Sequence, residues 1–115
     1  MKKLFIFLFF LSFPNLYALE IKLEKIVDRL DKPWSLSFIN QESVIFTEKS
    51  GKLYTLNLKD KKILEIKHNL SVLEVGQGGL LDVLYRNGQI YISYSENRGD
   101  WKAVSYTHLT LPTKA

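Results

Sequence analysis

Beyond residue 18, apolar and polar positions alternate with a period near two, and every apolar run is short. Ile21, Leu23 and Ile26-Val27 alternate with charged residues, the pattern of a half-buried strand. Asp31-Lys32-Pro33 interrupts it, because proline has no N–H to give a ladder and restricts the residue before it. The pattern then predicts strands over 34–39, 44–48, 53–58, 63–66, 80–85 and 89–94. The turns between them are Asn40-Gln41-Glu42, Ser50-Gly51, the charged run Lys59 to Lys62, and Asn87-Gly88, the strongest hairpin signal in the chain. No helical period follows residue 18, so the expected class is all-β with short antiparallel strands.

A faint repeat runs through these strands. Ser35-Leu36-Ser37-Phe38, a turn and Val44-Ile45-Phe46-Thr47 recur about 46 residues later as Leu81-Asp82-Val83-Leu84, Asn87-Gly88 and Ile90-Tyr91-Ile92-Ser93. A period of ~40–50 residues holding four strands is that of a β-propeller blade. One blade cannot bury both faces of its sheet. A chain with one blade and the start of another is therefore part of a larger propeller or a small sandwich-like domain.

Met1-Lys2-Lys3, the apolar run Leu4 to Leu11 and a polar end closing at Ala18 have the layout of a secretory signal peptide over 1–18. The apolar run is shorter than the ~20 residues that span a bilayer, so no stable membrane span is expected after cleavage. The chain has 115 residues and no cysteine, which excludes disulfides, iron–sulfur clusters and thiolate metal sites. The formal charge of +4 falls to +2 without Lys2 and Lys3, too weak and dispersed for a nucleic-acid partner.

The candidate chemistry gathers at Val75-Gly76-Gln77-Gly78-Gly79-Leu80-Leu81-Asp82-Val83, where three of the six glycines fall within four positions. Glycine tolerates positive φ and close approach of another backbone or a ligand. The stretch reads as a tight loop entering a buried strand, with Gln77 at its tip. From spacing alone an ordinary turn with a solvated glutamine is the plainer reading.

Three stretches together resemble the soluble quinoprotein sugar dehydrogenases of the glucose/sorbosone or aldose sugar dehydrogenase family. They are Pro33-Trp34-Ser35-Leu36-Ser37-Phe38, Phe46-Thr47-Glu48-Lys49-Ser50-Gly51-Lys52-Leu53, and Gly76-Gln77-Gly78-Gly79-Leu80-Leu81-Asp82-Val83 with Ile90 to Ser95. The resemblance implies a six-bladed propeller, of which 19–104 would be the N-terminal part: the first blade and the start of the second. It implies export to the periplasm, pyrroloquinoline quinone and Ca2+ as cofactors, and an aldose sugar substrate oxidised at its anomeric hydroxyl to the lactone. The electron acceptor stays unknown. Gln77, with Gly78 beside it, would border the pocket where cofactor and sugar meet.

The family's catalytic histidine, in a His-x-Gly-x-Arg-Leu element, has no match here, so the chain alone is expected to be inactive. The Ca2+ ligands are likewise expected outside it. A non-catalytic exported propeller that binds a sugar or a protein is the competing reading. His68 reads as a surface histidine, Glu48 as a turn-stabilising or solvated residue, and Asp82 as a partner for backbone donors near the loop. Trp34, Tyr85, Tyr91 and Tyr94 read as inter-blade core. Residues 105–115 leave the family pattern and are similar to translated sequencing-adaptor bases, so a non-native tail is expected there.

Overall fold

The computed structural model describes residues 14–15, 17–99 and 101–110, so most of the expected leader lies outside the described residues. Seven strands follow one another among them: β1 (Pro33–Phe38), β2 (Ser43–Glu48), β3 (Leu53–Asn57), β4 (Ile63–Ile66), β5 (Leu80–Arg86), β6 (Gln89–Arg98) and β7 (Trp101–Thr110). They form two antiparallel sheets, β1-β2-β3-β4 and β5-β6-β7, each strand paired with its sequence neighbour. This is a complete four-stranded propeller blade followed by three strands of the next. Among the described residues no helix is long and apolar enough to cross a membrane.

The turns are those that the local chemistry favours. Asn87 and Gly88 both take positive φ, 52° and 78°, as a two-residue type I′ hairpin requires. Gly51 takes φ +126°, and its N–H donates to Glu48 O (3.0 Å) in the turn from β2 to β3. Pro33 opens an edge strand, one of the few places where a sheet accepts proline.

The two innermost strands are built alike. β1 shifts register against β2 between Pro33 and Leu36, and β5 shifts against β6 between Leu80 and Val83. Both strands thus carry one extra residue at the same place in the repeat, a bulge that bends the strand and re-aims its side chains.

The hydrophobic alternation then sets two clusters. Ile45 and Leu53 of the first sheet meet Leu80, Val83, Ile90, Ile92 and Tyr94 of the second, with Tyr85 and Leu109 packed at the margin. Val44, Phe46 and Leu56 face the other way. Because β2 is covered on both faces, Val44 to Glu48 is buried at every position, which is why Val44-Ile45-Phe46 reads as an unbroken apolar run. Burying each large apolar side chain contributes about 1.5–3 kcal/mol.

Three expectations are corrected. Residues 20–30 form no strand; Ile26, Val27 and Leu30 instead lie over Val44, Phe46 and Leu56 as an apolar strap. Trp34 and Tyr91 are not inter-blade core, being 51% and 43% exposed. Tyr91 alternates with Ile90 and Ile92 on β6 and so faces away from the junction, whereas Tyr94 is buried and Tyr85 packs on the core. Glu48 is not solvated: it is 5% exposed, and its Oε2 accepts the Asp31 N–H at 2.6 Å.

Candidate functional site

The sheets meet where β1 runs beside β5, and a row of hydroxyls joins them. Ser35 Oγ donates to Asp82 Oδ1 (2.6 Å) and accepts the Val83 N–H (3.3 Å). Ser37 Oγ, two residues on and on the same face, accepts the Tyr85 N–H (3.0 Å). Thr47, fully buried, donates to Leu81 O (2.8 Å) and accepts the Ser35 N–H (3.2 Å). On the far side Ser93 Oγ accepts the Asp82 N–H (3.1 Å). The edge N–H groups of β5, which would otherwise face an apolar junction, are thereby satisfied by side chains. Asp82 also accepts the Val83 N–H (2.9 Å), so it serves backbone donors, as its sequence context suggests.

The glycine loop sits at the end of this junction. The Gly78 N–H donates to Val75 O (2.8 Å), closing a turn with Gly76 at φ +58° and Gln77 exposed at its tip. Gly79 takes φ +155° and lies so close to the Lys49 backbone that a Cβ there would overlap it. Ser95 holds the loop from behind. Its N–H donates to Gly79 O (2.9 Å), its carbonyl accepts the Leu73 N–H (2.7 Å), and its hydroxyl fills the space beside Gly78. Lys49 holds it in front. Its carbonyl accepts the Leu80 N–H (2.9 Å), and its Nζ donates to Gly76 O (2.6 Å) while lying 5.4 Å from the centre of the Trp34 ring. Lys32 Nζ reaches Glu74 at 2.5 Å, and the hydrogen bond and charge of that carboxylate hold the ammonium above the usual lysine range.

His68 does not join this site. His68 Nε2 lies 2.7 Å from Gly51 O, and its Nδ1 accepts the Leu70 N–H (3.2 Å). It is a half-buried staple between the β2–β3 turn and the segment after β4 rather than a free surface group. His108 lies on β7, its backbone paired with Tyr91. Among the described residues no group of three or more histidines or carboxylates could hold a metal ion.

A bound quinone can be tested only against the residues present. Gln77 offers an amide, and the open space beside Gly76 allows a planar ring to approach on that side. The nearby cation, Lys49, is already committed to Gly76 O. These residues fit one border of a cofactor pocket and not the grip on its carboxylates. Sequence reasoning singled out Gln77 and Gly78, which the structure places in the exposed turn and beside it, but gave no part to Lys49, Ser35 or Thr47. The alternating hydroxyls of Ser35 and Ser37 were a usable signal for a polar seam, whereas nothing in the local sequence marks Lys49.

Known proteins share this fold. Residues 30–114 match the glucose/sorbosone dehydrogenase family. Aldose sugar dehydrogenase YliI of Escherichia coli (strain K12) is 32% identical over 89 residues, which make up 72% of this chain and 24% of that protein. The chain thus spans about a quarter of the length of the curated relative it matches. The apo-form of the soluble aldose sugar dehydrogenase from Escherichia coli is similar with a TM-score of 0.70 at 28% identity, over 78% of this chain and 28% of that one. The PQQ-bound form of aldose sugar dehydrogenase from Streptomyces coelicolor has a TM-score of 0.62 over 73% of this chain and 26% of that one; at 17% identity it shows the fold alone. With the family match running from the start of the first blade through β7, the chain belongs to the glucose/sorbosone dehydrogenase family.

Proposed function

We propose that this chain is the N-terminal part of an exported, periplasmic quinoprotein dehydrogenase that oxidises the anomeric hydroxyl of aldose sugars to lactones. Residues 1–18 would be the leader and 19–104 the first blade with the start of the second. The observation that carries the reading is the glycine loop: Gln77 stands exposed at the tip of a turn fixed on three sides, at the junction of two inner strands. It does so in a chain whose family and relatives are sugar dehydrogenases, and a protein of the same fold is PQQ-bound.

In this reading Gln77 orients the sugar or the quinone through its amide, which both donates and accepts. Lys49, Ser95 and Gly79 fix the loop so that the amide is preorganised. Pyrroloquinoline quinone, when bound, supplies the two-electron acceptor for the sugar C1–H. Its carboxylate-binding cations, the Ca2+ ligands and the general base would come from later blades. The electron acceptor that reoxidises the quinone is a further partner whose chemistry these residues do not specify.

The test is sugar-dependent reduction of a redox dye after reconstitution with pyrroloquinoline quinone and Ca2+. It is run on the 115-residue chain and on the polypeptide that its genomic locus encodes across the codons after Lys102. Turnover by the longer polypeptide, and none by the chain alone, is expected. Absence of aldose-dependent turnover in the longer polypeptide, with a quinone-loaded relative active in parallel, overturns the reading in favour of a non-catalytic exported propeller. The same sequencing decides whether residues 105–115, proposed as a non-native tail, belong to the gene.

A further inference from the structure

The loop before β5 has a counterpart before β1. Gly76 and Arg29, 47 positions apart in the repeat, both take φ +58°, and Gly79 and Lys32, at the same spacing, both take positive φ. Arg29 and Lys32 are non-glycine residues in a conformation that L side chains rarely adopt, so outside contacts must hold this first loop in shape. One residue touches both loops. The Lys49 N–H donates to Lys32 O (3.0 Å), the Lys49 carbonyl accepts the Leu80 N–H (2.9 Å), and the Lys49 Nζ donates to Gly76 O (2.6 Å). The Lys32–Glu74 ion pair closes the same circuit from the other side.

We infer that Lys49 is the positioning residue for Gln77, and that its side chain sets the glycine loop in register with the first blade's loop. The inference rests on the proposed function only in assigning Gln77 to the pocket. The backbone bonds of Lys49 exist whatever its side chain, since any residue has an N–H and a carbonyl. The ammonium is the part that sequence choice controls. It reaches Gly76 O, the carbonyl immediately before Gln77, and it is braced by the face of Trp34. A cation over an indole ring loses little by being held there, so the brace favours the geometry in which the hydrogen bond forms. Removing the ammonium frees the Val75–Gly78 turn while leaving the Leu80 N–H, and so the entry into β5, in place.

The test is 15N relaxation and amide exchange on the 115-residue chain as wild type, Lys49→Met and Lys49→Arg. Methionine keeps the bulk of the stem, and arginine keeps a cation with donors at similar reach. In Lys49→Met, exchange at Gly78 should rise about three- to tenfold and the Gln77 side-chain amide signals should narrow towards those of a free glutamine. Amides of β2 and β6 should stay within about twofold of wild type. Lys49→Arg should restore the wild-type pattern. Trp34→Leu, which leaves Lys49 intact, should loosen the same amides to a smaller extent. Unchanged Gln77 and Gly78 signals in Lys49→Met overturn the inference, as does loosening spread evenly over both sheets or a failure of arginine to restore the loop. None of these readouts needs turnover. A failed sugar assay therefore leaves the inference standing, and a failed loop experiment leaves the dehydrogenase reading to its own assay.

Discussion

Ser35 and Asp82 are hydrogen-bonded, Oγ to Oδ1 at 2.6 Å, across 47 residues of sequence. They hold the same place in successive innermost strands, each inside the bulge that shifts register between Pro33 and Leu36 or between Leu80 and Val83. The repeat therefore does more than copy a shape: it brings equivalent positions of neighbouring blades into contact at the inner edge. The bulges bend both strands at the point where these two side chains meet. If the bond links the blades, Ser35→Ala and Asp82→Ala should be coupled. Each alone should cost about 1 kcal/mol, and the double mutant should cost less than the sum by about 0.5–1 kcal/mol, measured by urea unfolding. Additive effects would mean that the contact contributes nothing beyond its separate backbone bonds.

Thr47 is the buried member of the same seam, with its hydroxyl bonded to both Leu81 O and the Ser35 N–H. Thr47→Val keeps the shape and removes the hydroxyl, leaving a part-buried carbonyl and a part-buried N–H without that partner. A loss of about 1–3 kcal/mol is expected, while Thr47→Ser, which keeps the hydrogen bonds, should cost less than half as much. Equal losses in the two variants would point to the methyl group's packing as the source.

Much of this was readable in advance, and the exceptions have one physical cause. β2 announces itself as Val-Ile-Phe, β4 is found at its predicted bounds, and Asn87-Gly88 makes the hairpin its chemistry demands. These depend on local pattern. Gln77 was legible as a loop tip because glycines flank it. Residues 20–30 were misread because alternation cannot tell a strand from a strap whose Ile26, Val27 and Leu30 lie on another sheet's face. Glu48 was misjudged, and Lys49 overlooked, for the same reason. A lysine bonded 27 positions away and a carboxylate bonded 17 positions back owe their roles to which backbone passes nearby. The register of charges along the strand carries no trace of that.

The glycine loop makes a graded prediction. At Gly76 φ is +58° and an added Cβ would meet open space, so Gly76→Ala should cost only the strain of a left-handed alanine, about 1 kcal/mol. At Gly79 φ is +155° and the Cβ would run into the Lys49 carbonyl, which cannot swing aside while it accepts the Leu80 N–H. Gly79→Ala should therefore cost about 3 kcal/mol or more and disturb the β2–β3 turn as well as the loop. Urea midpoints and the amide signals of Lys49 and Ser50 would measure both effects. The same cost at the two glycines would show that the close approach of Lys49 is relaxed in solution.

Stability should decline on the alkaline side through Tyr54 and Lys32. Burial, then the charge and hydrogen bond of Glu48, raises the Tyr54 phenol above its ordinary value. Glu74 raises Lys32. A group whose folded-state pKa is raised favours the protonated form in the native state. Its contribution is complete below the unfolded value, near 10 for either group, and is lost as pH climbs through the folded one. Glu65 runs the other way: its hydrogen bond to Lys67 lowers its pKa, so its contribution is complete above about pH 4.5 and is lost on acidification. Tyr54→Phe should flatten the decline above about pH 10 without changing the acid limb. A decline of unchanged steepness would assign the alkaline loss to lysines alone.

The face of the first sheet turned away from the second blade yields the last prediction. There Trp34, Leu36 and Phe38 are 51%, 58% and 60% exposed, lining an apolar groove of about 940 Å3 whose other wall is the strap of Ile26, Val27 and Leu30. In the structural register β1 and β5 are 47 residues apart, one more than the sequence pattern gives, so Leu36 and Phe38 correspond to Val83 and Tyr85, and Val44 and Phe46 to Ile90 and Ile92; in the second blade these positions are packed against the first. The groove is thus the surface that a blade seals in the second copy of the pattern, left open in the first. Contiguous apolar surface of this kind drives association in water. The chain alone should therefore show light scattering that grows with concentration and with added sulfate, which strengthens apolar burial. Leu36→Lys with Phe38→Glu should suppress it without weakening the β1–β5 seam, because Ser35 and Ser37 lie on the opposite face of β1. Amide exchange at Val83 and Tyr85 would report on that seam directly. Association that persists in the double variant, with those amides still protected, would place the sticky surface elsewhere in the chain.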